Sequence, residues 1–158
     1  MMIFKKILLI ILMVSCSNDE KNPNDNFLKK FKNDDFTKFS GNSFFVRGFD
    51  KGNPIVFVYS DECKHPLVIT VNSQTNTILK ISKHLQIDTC NINTMQKEML
   101  TLSFLKYNIN YLEVDENLDV YINVMFEEKP PQLARITNPE KIKGNWKKII
   151  DNWYELRK

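Results

Sequence analysis

Glycine and histidine are scarce in this chain of 158 residues, which contains four glycines and two histidines. The glycines do not have the close, regular spacing of a phosphate-binding loop, in which backbone amides approach a nucleotide without a side chain in the way. Two histidines supply few of the groups that metal centres and proton-transfer sites use. The composition therefore excludes the common nucleotide-binding loops and disfavours a histidine-rich metal centre.

An excess of charge of either sign is also missing. The chain has 22 basic and 19 acidic residues, a net charge of +3, and without residues 1–15, which include Lys5 and Lys6, the balance is 20 against 19. The most basic stretch, residues 141–158, contains aromatic residues but is diluted by Asp151 and Glu155. A nucleic-acid-binding surface needs a denser basic patch. We therefore expect a solvated strand face here and no nucleic-acid partner.

No apolar run is long enough to cross a membrane. The longest, from Ile7 to Val14, has eight residues, whereas a membrane-spanning helix needs about 20. A basic head, a short apolar run and a small residue before Cys16 are instead typical of an export signal. The sequence becomes polar directly after this cysteine, which marks the end of the signal.

The last four residues of this segment, Met-Val-Ser-Cys at 13–16, resemble the lipobox of bacterial lipoprotein signal peptides. The resemblance implies that residues 1–15 are removed and that Cys16 becomes the new N-terminus, carrying acyl chains such as palmitate. Residues 16–26 would then be a flexible tether. The alternative is a plain secretory signal or an uncleaved anchor in which Cys16 has no special role.

The residues after the lipobox bear on the destination. Ser17 follows the cysteine, and lipoproteins kept at the inner membrane usually have aspartate at this position, so the resemblance implies the outer membrane. Asp19 and Glu20 also look like the short acidic signals of lipoproteins that reach the cell surface. The orientation, periplasmic or surface-exposed, stays open.

Export changes the interpretation of the other two cysteines, Cys63 and Cys90. They are an even pair in a compartment where disulfides persist, once Cys16 is acylated. We predict a Cys63–Cys90 disulfide, which closes a loop and stabilises the fold by about 3.5 kcal/mol in the chain-entropy account. Two buried free thiols are the alternative.

Cys63 and His65 also allow a catalytic interpretation. Alternate residues of a strand share a face, and a thiolate beside an imidazole is the minimum for a nucleophilic cysteine. Pro66 and the charged residues before it, however, favour an exposed turn, and no motif of cysteine hydrolases surrounds the pair. A small envelope enzyme that uses these two residues is therefore the weaker hypothesis.

Two patterns match metal sites only in part. Asp115, Asn117 and Asp119 alternate as in a calcium-binding loop, but Val120 stands where that loop requires glycine. A turn between two strands explains these residues better. A set of two cysteines and two histidines has spacings that match no common zinc module: Cys63, His65, His84 and Cys90. We expect neither a metal nor a cofactor.

Apolar periodicity predicts two helices, at about 27–39 and 93–108. Asp34 and Asp35 interrupt the pattern of the first, and Asn93 is a suitable N-cap for the second. In the second helix an apolar stripe is expected to face the core, and Leu100 and Phe104 on the other side leave open that the helix is covered on more than one face. The stripe comprises Met95, Met99, Leu102 and Leu105.

Alternating β-branched and aromatic residues predict strands between and after these helices. Hairpins are expected over 43–60 and 66–82, and the turn residues Asp151 and Asn152 favour a further hairpin at the end of the chain over a helix. The predicted fold is α+β, a predominantly antiparallel sheet with two helices in a single domain, residues 27–158. The order of elements permits a degenerate duplication, although no residue repeat supports it.

These observations indicate a class of function rather than a reaction. A lipid anchor, a small domain and no convincing catalytic set favour a binding or interaction module with a protein partner in the envelope. An assembly subunit, a surface ligand binder and an immunity-type protein all fit, and a purely structural lipoprotein is the alternative. The solvated face and the edges of the antiparallel sheet are the expected binding surfaces.

Overall fold

The computed structural model describes residues 22–61, 63–82, 93–126, 131–142 and 144–157. Within these ranges, nine strands form one antiparallel sheet, accompanied by two α-helices. The predicted α+β class with a predominantly antiparallel sheet is confirmed. The helices are α1 (Pro23–Phe31) and α2 (Thr94–Leu105), and the strands are β1 (Asn42–Asp50), β2 (Asn53–Ser60), β3 (Leu67–Asn72), β4 (Thr77–Ser82), β5 (Tyr111–Val114), β6 (Val120–Asn123), β7 (Leu133–Arg135), β8 (Trp146–Ile150) and β9 (Trp153–Leu156).

Helix α1 begins earlier and ends earlier than predicted. Asn22 caps it by accepting a hydrogen bond from the amide of Asn24 at 3.1 Å, and Pro23 occupies the first turn, where its missing N–H costs nothing. After Phe31 the chain leaves the helix, and a separate 3₁₀ turn covers Thr37–Phe39. Residues 23–26, which the sequence assigned to the tether, therefore belong to the helix.

Helix α2 is capped as predicted, because the Asn93 side chain accepts a hydrogen bond from the amide of Gln96 at 3.1 Å. The predicted stripe faces the core only in part, since Leu102 and Leu105 pack against the core but the two methionines do not. Met95 and Met99 are 71% and 66% exposed, whereas Phe104 is fully buried. The ring of Phe104 stacks on Phe44 of β1 with 5.3 Å between centroids, so the sheet's own aromatic residue selects this face of the helix.

The strand order is β4-β3-β2-β1-β5-β6-β7-β9-β8. Each half of the sheet follows a helix, and the two halves meet at the centre, where β1 pairs with β5. The first half runs outward in chain order from β1 to β4, whereas in the second half β9 lies between β7 and β8. The two halves therefore differ in strand number and order, and the duplication stays a prediction. The predicted hairpin at the end of the chain is confirmed, with Asp151 in the left-handed region of its turn at φ 49°.

Both helices and the 3₁₀ turn Thr37–Phe39 pack on one side of the sheet, which we call the covered face. Alternate residues of the strands point into this core, among them Phe44, Val56 and Leu112. At one end of it an aromatic cluster joins α1 to the sheet, since Phe27 contacts Trp153 edge to face at 6.1 Å. Among the described residues, no helix is long and apolar enough to span a membrane.

Candidate functional site

The other side of the sheet, which we call the open face, carries an unusual number of aromatic side chains. The open face consists of the strand positions that alternate with the core residues. On β2, for example, Val56 and Val58 are buried in the core while Phe57 and Tyr59 point the other way. The aromatic residues of this face between β2 and β6 are Phe45, Phe57, Tyr59, Tyr111 and Tyr121.

The strand registers place these residues in two continuous rows across the sheet. In the first row Phe57 lies opposite Phe45, and Phe45 lies opposite Tyr111. Directly opposed residues of antiparallel strands have Cβ atoms about 5 Å apart on the same face, so these side chains leave the sheet at adjacent positions. Phe57 also contacts Tyr59 on its own strand, with 6.5 Å between the ring centroids. The second row runs from β2 to β6 as Tyr59, Ser43, Glu113 and Tyr121.

The centre of the open face is polar. The hydroxyl of Tyr111 donates a hydrogen bond to one carboxylate oxygen of Glu113. Burial raises the pKa of Tyr111, and the hydrogen bond to Glu113 and its negative charge raise it further. The second oxygen of Glu113 accepts no hydrogen bond from the described residues.

One side of the open face ends in a wall. The segment between β7 and β8 returns over the sheet, and Ile142 and Trp146 pack on a small second core made by Ala134, Ile136 and Tyr154. Tyr121 is partly buried against the same cluster. The aromatic part of the open face, which we call the aromatic floor, is therefore bounded at β7 by this cluster. Toward β4 no described helix covers it.

The open face approaches the size of a small protein interface. It extends from β4 to β6, six strands at about 4.8 Å spacing, and each strand contributes two or three side chains at about 6.8 Å intervals, which gives a geometric area of roughly 400–600 Å². A standard protein–protein interface buries about 800 Å² on each partner, and the smaller stable ones about 600 Å². Tyr59, 41% exposed, is the most accessible aromatic side chain of this floor.

The residues proposed from sequence as a possible site lie elsewhere. Cys63 and His65 follow β2 in the connection to β3, both partly buried. Cys63 is disulfide-bonded in the structure, and a disulfide sulfur offers no thiolate for nucleophilic attack. Cys16, His84 and Cys90 lie outside the described residues, so the lipidation of Cys16, the Cys63–Cys90 pairing and the mixed metal set stay predictions.

The described residues also bear on the metal patterns. They contain no group of three or more His, Cys, Asp or Glu side chains that could hold a metal ion. The predicted turn between two strands is confirmed, because one oxygen of Asp115 accepts hydrogen bonds from the amides of Asn117 and Asp119, both at 2.9 Å. Asp119 itself is buried and accepts a hydrogen bond from the amide of Thr137 at 2.6 Å. These acidic groups hold turns together.

Sequence reasoning anticipated a solvated face but did not identify the residues on it. The signal was present in the strands, where aromatic residues alternate with buried aliphatic ones, as in Val56-Phe57-Val58-Tyr59. An alternation of two kinds of apolar residue is typical of a strand that is buried on both sides, so it did not point to an open face.

A comparison with known proteins finds no matching family model, no similar curated protein and no similar solved structure.

Proposed function

We propose that this protein is a lipid-anchored lipoprotein of the bacterial outer membrane that binds a protein partner through the open face. The observation that carries the proposal is the group of five aromatic side chains, Phe45, Phe57, Tyr59, Tyr111 and Tyr121, on the face of the sheet that no described helix covers. Tyrosine and other aromatic residues are enriched at the energetic centres of protein interfaces, since they combine a large apolar surface with a polar group.

The size of the face favours a protein over a small molecule. Its roughly 400–600 Å² reaches the lower end of protein interfaces, whereas a small ligand is normally enclosed in a concave pocket that buries most of its surface. The wall formed by Ile142 and Trp146 would fix the position of the partner at one side. The complementary surface of the partner is therefore mainly apolar.

The polar centre specifies the partner further. Glu113 lies in the middle of the floor, between Ser43 and Tyr121 in the register, with one oxygen engaged by Tyr111. An approaching protein displaces water from this carboxylate, and a buried charge without a compensating donor is costly. We therefore expect an arginine or lysine of the partner to contact Glu113, surrounded by apolar residues.

Site-specific photo-crosslinking in intact cells tests the interface. A photoreactive phenylalanine at Tyr59 is expected to crosslink one protein in stoichiometric amount. The matched control places the photoreactive phenylalanine at Met99, which is more exposed than Tyr59 but lies on the covered side. This control is expected to give no such product. Crosslinks of equal yield at both positions, or none at Tyr59, contradict the proposal and favour a purely structural lipoprotein.

Affinity measurements with the captured partner separate the roles of the side chains. Tyr59→Ala removes an exposed aromatic contact and is expected to weaken binding about 30-fold, which corresponds to about 2 kcal/mol. Glu113→Gln keeps the shape but removes the charge, and is expected to slow association and reduce its dependence on salt. Met99→Ala is expected to leave the affinity unchanged within a factor of two.

The membrane anchor has its own test. The intact mass of the protein from membranes is expected to lack residues 1–15 and to include acyl groups on Cys16. Cys16→Ser is expected to release the protein from the membrane fraction, because one hydrophobic anchor has been removed. An unmodified Cys16 in the membrane form rejects the anchor and leaves the protein-binding proposal intact.

A further inference from the structure

A recess of about 260 Å³ opens on the covered side, far from the aromatic floor. It lies at the end of the sheet where the turns of the β1–β2 and β3–β4 hairpins approach the C-terminal end of α2. Val46, Val71 and Ile109 form its floor, and all three are buried. Because the register pairs Phe49 with Pro54 on this side of β1 and β2, Phe49 extends over the mouth of the recess.

The mouth is framed by two exposed aromatic rings. Phe49 and Phe126 are 58% and 51% exposed, and their rings contact each other with centroids 5.8 Å apart. Neither ring is used by the main core. Exposed apolar surface costs about 25 cal/mol per Å², so two half-exposed rings beside an open apolar recess gain free energy when a ligand covers them.

The rim is polar but uncharged. Asn76 and Asn108 line it, both in the left-handed region at φ 52° and 50°. Their side-chain amides make no hydrogen bond within the described part of the chain. Among the described residues that line the recess, none carries a charged side chain. These described lining residues offer an ionic ligand no counter-charge for the hydration that it loses, whereas a neutral polar group pairs with an amide.

We propose that this recess is a binding site for a small neutral ligand that contains one aromatic ring, or an apolar group of similar size, and a hydrogen-bonding substituent. The volume is close to the lower end of ligand pockets, about 300 Å³, which limits the ligand to this size. The site is independent of the protein-binding face, because neighbouring residues such as Phe45 and Val46 point to opposite sides of β1. Both sites can be occupied at once.

Indole is a suitable probe, since it has one fused aromatic system and one N–H donor. Titration of the intact protein with indole is expected to produce saturable shifts of the backbone amide NMR signals near Asn76 and Asn108. The anionic analogue indole-3-acetate is expected to bind at least tenfold more weakly. Shifts confined to the open face, shifts that do not saturate, or equal affinity for the two probes would overturn the proposal.

Two sets of variants complete the experiment. The double variant Phe49→Ala with Phe126→Ala removes both aromatic rings at the opening of the recess and is expected to weaken indole binding at least tenfold. Both rings are more than half exposed, so the fold does not depend on them. Tyr59→Ala, on the open face, is the matched control and is expected to change the affinity less than twofold. Asn76→Asp keeps the turn, replaces the amide by a charge and is expected to weaken binding at least threefold. Unchanged affinity in both recess variants rejects the site.

Discussion

Trp153 attaches the N-terminal helix to the sheet, and its replacement by phenylalanine gives a sharp test of the fold. The side chain is 1% exposed, and its indole N–H donates a hydrogen bond to the carbonyl of Lys32 at 3.1 Å. Its ring contacts Phe27 at 6.1 Å and Phe36 at 6.3 Å, and the guanidinium of Arg135 lies 5.8 Å from its centre. Trp153→Phe keeps a ring but removes the hydrogen bond and part of these contacts.

The expected loss of stability follows from these contacts. The hydrogen bond contributes about 1 kcal/mol, and a buried carbonyl without its donor adds to the cost of losing it. The weakened aromatic contacts remove about 1 kcal/mol more. The smaller ring leaves a space of roughly 40 Å³, which costs about 1 kcal/mol. The free energy of unfolding is therefore expected to fall by about 3 kcal/mol, and the melting temperature by roughly 10 °C.

Urea unfolding followed by far-ultraviolet circular dichroism measures this change without relying on tryptophan fluorescence. Trp146→Phe is the matched control, because Trp146 is only partly buried and packs on the small second core. It is expected to cost less than about 1 kcal/mol. Hydrogen exchange is also expected to accelerate in α1 more than in α2 in the Trp153 variant. Equal losses for the two variants, or unchanged exchange in α1, would refute the role of Trp153 as the attachment of the helix.

Three further predictions concern other parts of the chain. Burial and the charge of Asp34 raise the pKa of Tyr107 to about 12. Because the folded state holds this proton after the unfolded state has released it, the free energy of unfolding is expected to decrease from about pH 10 to pH 12. Urea unfolding at each pH measures this decrease, and absorbance at 295 nm follows the ionisation of the tyrosine. Replacing Cys63 and Cys90 together by alanine is expected to lower the free energy of unfolding by about 3.5 kcal/mol. Labelling of Cys63 by a thiol reagent, in unmutated protein denatured without a reducing agent, would contradict the disulfide. Asp119→Ala removes the acceptor of Thr137 and is expected to cost about 2 kcal/mol in thermal unfolding, whereas a loss below about 0.5 kcal/mol would contradict this role.

The secondary structure was predictable wherever a local rule decided it. Asn93 has the side chain that an N-cap needs, and it caps α2. Asp151 and Asn152 tolerate the turn of the last hairpin. The end of α1 was harder, because Phe36 and Phe39 continue the helical spacing although Asp35 accepts a hydrogen bond from the amide of Thr37 and starts a separate turn. The spacing of apolar residues alone does not show where a helix stops.

The buried face of α2 could not be derived from its own sequence. Met95 and Met99 lie on one side, Leu100 and Phe104 on the other, and the two stripes are similarly apolar. The choice is made by the sheet, where Phe44 offers a ring to stack on. Such a preference depends on a residue about 60 positions away in the chain, which periodicity within one element does not detect.

The candidate site was predictable only as a class of surface. An antiparallel sheet with helices on one side has a second side, and alternation assigns residues to it once the strands are known. The arrangement of the aromatic residues on that face, however, depends on the registers of β1 with β2 and of β1 with β5. A shift of one residue would replace every ring by a core residue. The long-range pairing of β1 with β5 is not encoded in any local turn.

That pairing has a consequence for how the chain folds. All but two of the neighbouring strand pairs join strands that are consecutive in sequence, the exceptions being β1 with β5 and β7 with β9. Consecutive strands meet through short loops at low entropic cost, whereas the ladder between Phe44 and Leu112 must close a loop of about 70 residues. We therefore expect each half to form its hairpins early and the joining of β1 to β5 to be the slow step of folding. Until that step is complete, two unpaired central strand edges are exposed to pairing with other copies of the chain.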